Sequence, residues 1–153
     1  DPKTEPEATN AALNLIYRKN DVASFKQELI NIEKSGKPEC KTTAASLLMS
    51  LPGKDGIDTV SKYSTAENDE LRQAAIYAAA QRADAESLKT TVPLLIAALS
   101  DNQPLIRKIA INAIKKISGN PFDNYQYGKP STDNATAIAD VRAWATGAGY
   151  AVR

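Results

Sequence analysis

Residues 57–83 of this chain recur thirty-five positions later without a gap. The run Ile57 to Ala83, IDTVSKYSTAENDELRQAAIYAAAQRA, lies over Val92 to Ser118, VPLLIAALSDNQPLIRKIAINAIKKIS. Ile57 meets Val92, Val60 meets Leu95, and Leu71-Arg72 meets Ile106-Arg107, with Ala75 over Ala110 and Ala78 over Ala113. A fixed period of this length belongs to stacked helical units, each unable to bury its apolar face alone. The expected fold is therefore all-α, an α-α superhelix of about three helix pairs with a capping helix at each end.

Composition agrees with helices. Apolar residues make up 42% of the chain but aromatics only 6%, and many of the apolar residues are alanines. Small side chains let helices approach closely and have high helix propensity. No stretch alternates with the period of two that a half-buried strand requires. No apolar run approaches the roughly 18 residues that a membrane span needs.

Eight helices are expected, near 6–19, 22–34, 38–51, 57–63, 68–82, 86–99, 104–117 and 132–146. Asp21 is the expected cap of the second, Pro38 opens the third, and Gly119 ends the seventh. Residues 119–131 form a polar loop, after which Thr132 or Asp133 is expected to cap the last helix. One domain, 1–153, holds repeats at 22–51, 57–82 and 87–118, with 6–19 and 132–146 covering the ends. The first repeat echoes the second at a spacing of thirty-one, with Cys40 over Leu71, Lys41 over Arg72 and Ala44 over Ala75.

The third repeat carries Val92-Pro93-Leu94-Leu95, then Asp101, then Pro104-Leu105-Ile106-Arg107, then Ala110, Ala113 and Ile114. In this order it resembles a HEAT repeat of the short bacterial, phycobilisome-lyase-like type. The second repeat keeps Leu71-Arg72 but has Asp58 for the proline and Ala66 for the turn aspartate; the first has Lys41 for the arginine. The tail, with Phe122, Tyr127, Asn134 and Trp144, also resembles the close of bacterial HEAT domains. The resemblance implies a scaffold whose second helices line a concave, partner-binding face. It implies as alternatives a bilin-lyase-like or chaperone subunit, and it implies that Arg72 and Arg107 brace their own turns, Arg107 through Asp101.

Register then places Thr42, Ser46, Gln73, Tyr77, Lys108 and Asn112 in one column on that face, and Ala45, Met49, Ile76, Ala80, Ile111 and Lys115 in a parallel one. Tyr77 is the expected anchor, because tyrosine offers large contact area at low entropic cost. The expected function is non-enzymatic binding of a protein or peptide.

Histidine is absent, and there is one cysteine. This removes the usual general base, Ser-His and Cys-His nucleophile pairs, and most zinc sites. No catalytic, cofactor-binding or metal-binding residues are expected. Cys40 falls on a core position and reads as a buried thiol. Asp123, Tyr125 and Tyr127 are candidates for a ligand or for rings that pack over the last core layer. Asn134 begins a glycosylation sequon at a helix start.

The net charge of +1 is too balanced to point to nucleic acid. Helix seven is locally cationic through Arg107, Lys108, Lys115 and Lys116, yet this falls short of the roughly six to ten phosphate contacts behind firm binding. The opening Asp1-Pro2-Lys3-Thr4-Glu5-Pro6 is that of a processed product, either a mature exported protein or an excised domain, with a lean to an exported or periplasmic setting.

Overall fold

The apolar spacing produces the expected helices. A computed structural model describes residues 4–152; the Asp1–Lys3 part of the opening segment lies outside them. Among the described residues there are eight α-helices and no strand. They are α1 (Thr4–Lys19), α2 (Lys26–Ser35), α3 (Pro38–Met49), α4 (Gly53–Tyr63), α5 (Asp69–Ala80), α6 (Ala85–Ala98), α7 (Pro104–Ser118) and α8 (Ala135–Gly147). Helices pack on their neighbours in the manner of a HEAT-like helical solenoid. The chain divides into two compact units, 1–59 and 60–153, and α4 runs through the junction.

In the first unit α2 packs on α3, and α1 packs on α3. Leu13, Ile16, Leu29, Cys40, Ala44 and Leu48 form its core. Cys40 is buried as expected, with Sγ 3.6 Å from Asn10 Oδ1. Tyr17, which follows the buried Leu13 and Ile16 at helical spacing, is nonetheless 73% exposed. Asp21 caps nothing, because the chain enters α2 through a 3-10 turn at Ala23–Phe25 and no side chain caps α2.

Helix α4 begins a turn before Ile57. Gly53 takes φ +68°, a conformation open to glycine, and so absorbs the reversal within one residue. Lys54 and Asp55 can then be helical, tied by Lys54–Asp58 and Lys26–Asp55 ion pairs of 2.6 Å each.

In the second unit α5 packs against both α6 and α7, α6 against α7, and α8 against α6. Asn68 caps α5 by accepting from Leu71 N at 3.0 Å, and Asp84 caps α6 by accepting from Ser87 N at 2.8 Å. Each satisfies an N–H that the first turn of a helix leaves unpaired. Gly119 ends α7 at φ +72°, as a left-handed cap should. Neither Thr132 nor Asp133 caps α8; residues Ser131–Asn134 form a 3-10 turn, and Asn134 has another task.

Candidate partner-binding face

The arginines sort themselves first. Arg107 is only 5% exposed. Its Nη1 donates to the carbonyls of Asp101 (2.6 Å) and Asn102 (3.1 Å), and its Nε to the Tyr127 carbonyl (2.9 Å). The guanidinium thus closes the turn before α7 and fastens the following loop to it. Of the partners expected for Arg107 in its own turn, carbonyls or the Asp101 carboxylate, it takes the carbonyls, and the carboxylate belongs to Arg72 of the preceding repeat. Arg72 Nε lies 2.6 Å from Asp101 Oδ2, and Nη2 lies 3.2 Å from Oδ1.

Arg72 also donates to the Ala66 carbonyl (2.6 Å) in its own turn and pairs with Asp69 (2.6 Å). Gln103 Nε2 completes the network on Asp69 Oδ2 at 2.7 Å. Flanked by two carboxylates, chiefly hydrogen-bonded to Asp101, the Arg72 guanidinium holds its proton more tightly than usual. These groups knit one turn to the next and are spent on structure.

The loop after α7 is held in the same way. Tyr125 is buried and its hydroxyl donates to the Leu99 carbonyl at 2.6 Å; burial pushes its pKa up to about 12. Asn134 is also buried, accepting from Gln126 N (2.7 Å) and donating to the carbonyls of Gln126, Lys129 and Pro130. Its role as a clamp was not legible in the sequence, where it reads as a sequon or a helix-start residue. Phe122 stacks edge-on with Trp144 at 6.3 Å, and Tyr127 stays half-exposed beside Lys108, whose Nζ is 5.5 Å from the ring centroid. Asp123 is exposed.

What remains are side chains facing solvent. In the second unit Gln73, Tyr77, Lys108 and Asn112 are all exposed, Tyr77 by 58%. Tyr77 and Asn112 line one pocket of about 470 Å³, with Gln81, Arg82, Ile109 and Lys116 among the other lining residues. Gln73 and Lys108 stand one helical turn earlier on the same helices, outside that pocket. In the first unit Thr42 and Ser46 line a separate pocket of about 440 Å³ with Asn14, Tyr17, Asn20 and Ser50. Their hydroxyls donate to the Pro38 and Thr42 carbonyls, which leaves oxygen lone pairs as the polar groups offered to a partner.

The parallel column expected beside these residues is not a surface. Ala45, Met49, Ile76 and Ile111 are buried, and only Ala80 and Lys115 are partly open. One helical position turns the face by about 100°, enough to carry that column into the core.

Among the described residues no group of three or more His, Cys, Asp or Glu side chains could hold a metal ion. No described helix is long and apolar enough to cross a membrane. Residues 57–123 match the family model for HEAT repeats. No curated protein and no solved structure matches the chain. The matched segment contains the Arg72 and Arg107 turns and stops short of the first repeat. There Lys41 takes the arginine's place, and its side chain makes no hydrogen bond or ion pair among the described residues.

Proposed function

We propose that the chain is a non-enzymatic scaffold that binds a protein or peptide through the exposed faces of its repeats' second helices, with Tyr77 as the anchor in the second unit. HEAT repeats generally serve as protein-interaction scaffolds, and the match over 57–123, a stretch that includes α5 and α7, supports the reading. The observation that carries the reading is Tyr77 itself. An aromatic ring left open on a helix whose other large apolar residues are partly (Leu71) or fully (Ile76) buried gains little for folding. Against a partner, the same ring can bury a large area with few rotors to freeze. Asn112 beside it supplies a donor and an acceptor, and Lys108 and Gln73 extend the polar contacts along the same two helices.

In this reading Thr42 and Ser46 form a second, smaller contact on the first unit, and the repeats divide at 22–51, 57–82 and 87–118. The phycobilisome-lyase-like subtype and a bilin-handling or chaperone role have no comparable support. Tyr77→Ala and Lys108→Ala variants should lose co-purifying partners while melting within a few degrees of the parent. Undiminished recovery of the same partners by both variants would remove Tyr77 and Lys108 from the binding face.

A further inference from the structure

The pocket at the C-terminal ends of α5 and α7 has a chemistry of its own. Its floor is apolar, built from Leu88, Ile109, Ala113 and Ile117. Its polar rim is Tyr77, Gln81, Asn112 and two cations, Arg82 and Lys116. Among the described residues no acidic side chain lines it. Asp84, two residues from Arg82 and outside the pocket lining, caps α6; the Ser87 hydrogen bonds chiefly, and the Arg82 charge to a lesser degree, hold its pKa below the usual range. On the α7 side Lys116 is exposed, and α7 carries no acid to offset it between Asn102 and Gly119. The pocket of the first unit that contains Thr42 and Ser46 is lined without any charged residue, and the one that contains Lys19 also has Asp21 and Glu28 in its lining.

We infer that this pocket takes an acidic peptide segment, one in which an aspartate or glutamate stands beside an apolar side chain. The apolar neighbour fills the floor against Ile109 and Ile117, the carboxylate faces Lys116, and the Tyr77 ring covers the segment. The inference rests on the binding-face reading above and deepens it by naming the partner's chemistry. Nucleic acid fits less well. Its backbone needs a track of cations rather than two beside one pocket, and a phosphate has no use for an aliphatic floor. The volume of about 470 Å³ lies within the range of roughly 300–1,000 Å³ typical of pockets that enclose a small ligand or a few side chains.

The test is selection of a random short-peptide library on the full chain, followed by affinity measurements of the selected peptides and of a duplex DNA probe. Lys116→Glu is compared with Arg142→Glu, an exposed residue of α8 outside the pocket whose reversal changes net charge equally. Selected peptides should be enriched in an acid next to an aliphatic or aromatic residue. They should lose about tenfold in affinity on Lys116→Glu, little on Arg142→Glu, and weaken as salt rises. Peptides without acidic enrichment, or equal losses in the two charge variants, would overturn the acidic assignment. If Tyr77→Ala still abolished their binding, the binding-face reading would stand alone. Peptides indifferent to Tyr77→Ala, or no selected peptide at all, would overturn both. DNA held more tightly than any selected peptide would overturn the peptide assignment in favour of nucleic acid.

Discussion

Asp101 shows how much one side chain can carry. Its carboxylate takes two hydrogen bonds from Arg72 of the previous repeat and one from Gln103 N, while its carbonyl takes one from Arg107. Both members of the Arg72–Asp101 pair are nearly buried, so removing one strands the other's charge. Asp101→Ala should therefore cost about 3 kcal/mol of unfolding free energy, measured by denaturant titration. Asp69→Ala should cost under about 1 kcal/mol, because that carboxylate is half-exposed. Thr91 makes the opposite case. Its hydroxyl is buried and has no partner among the described residues, so Thr91→Val should stabilise the fold by about 1 kcal/mol.

Tyr125 adds a pH dependence. Its folded-state pKa of about 12 lies above the ordinary tyrosine value of about 10, so the unfolded chain gives up the phenolic proton first as pH rises. Its contribution is complete below pH 10 and is lost progressively toward pH 12. The parent should lose stability across that window more steeply than Tyr125→Phe; parallel curves would show the hydroxyl to be solvated in the folded state.

At the scale of elements, helix existence was legible and helix entry was not. Apolar spacing in the sequence found every helix, since burial of a stripe is what stabilises each one. The ends depend on single φ values and side-chain bonds that compete closely. Gly53 turns left-handed and lets α4 start early, while Val22 and Ala23 enter a 3-10 turn that bypasses Asp21. Asn134 points back into its loop, which spends the side chain that would otherwise have capped α8. Gly119 is the end that the sequence did reveal, because a glycine after an apolar helix has one common use. Gly119→Ala, at φ +72° with open space around it, should cost about 1 kcal/mol through backbone strain alone. Gly128→Ala, also in open space but without a positive φ, should change the melting temperature little.

For the whole molecule, the gapless echo at thirty-five residues identified the all-α solenoid class, and it did so where side chains repeat a structural task. Arg72 and Arg107 repeat because both close a turn, and the HEAT-repeat match covers the same stretch. The first repeat keeps the apolar spacing with Lys41 in that place, so its fold was legible and its family was not. Exposure along the proposed face was legible to within one helical position. Tyr77 and Asn112 came out exposed and share a pocket, whereas Ile76 and Ile111, one residue earlier, went into the core. The cationic rim was harder to read, because Arg82 and Lys116 come from different helices' ends and meet only in the folded unit.

The most direct test of a partner on the α5–α7 face is photo-cross-linking. A benzophenone amino acid is placed in turn at position 77, at position 112, and at exposed position 97 on α6. The face described here predicts that 77 and 112 capture the same partner and that 97 captures none. Capture from 97 alone would place binding on another surface and contradict the account.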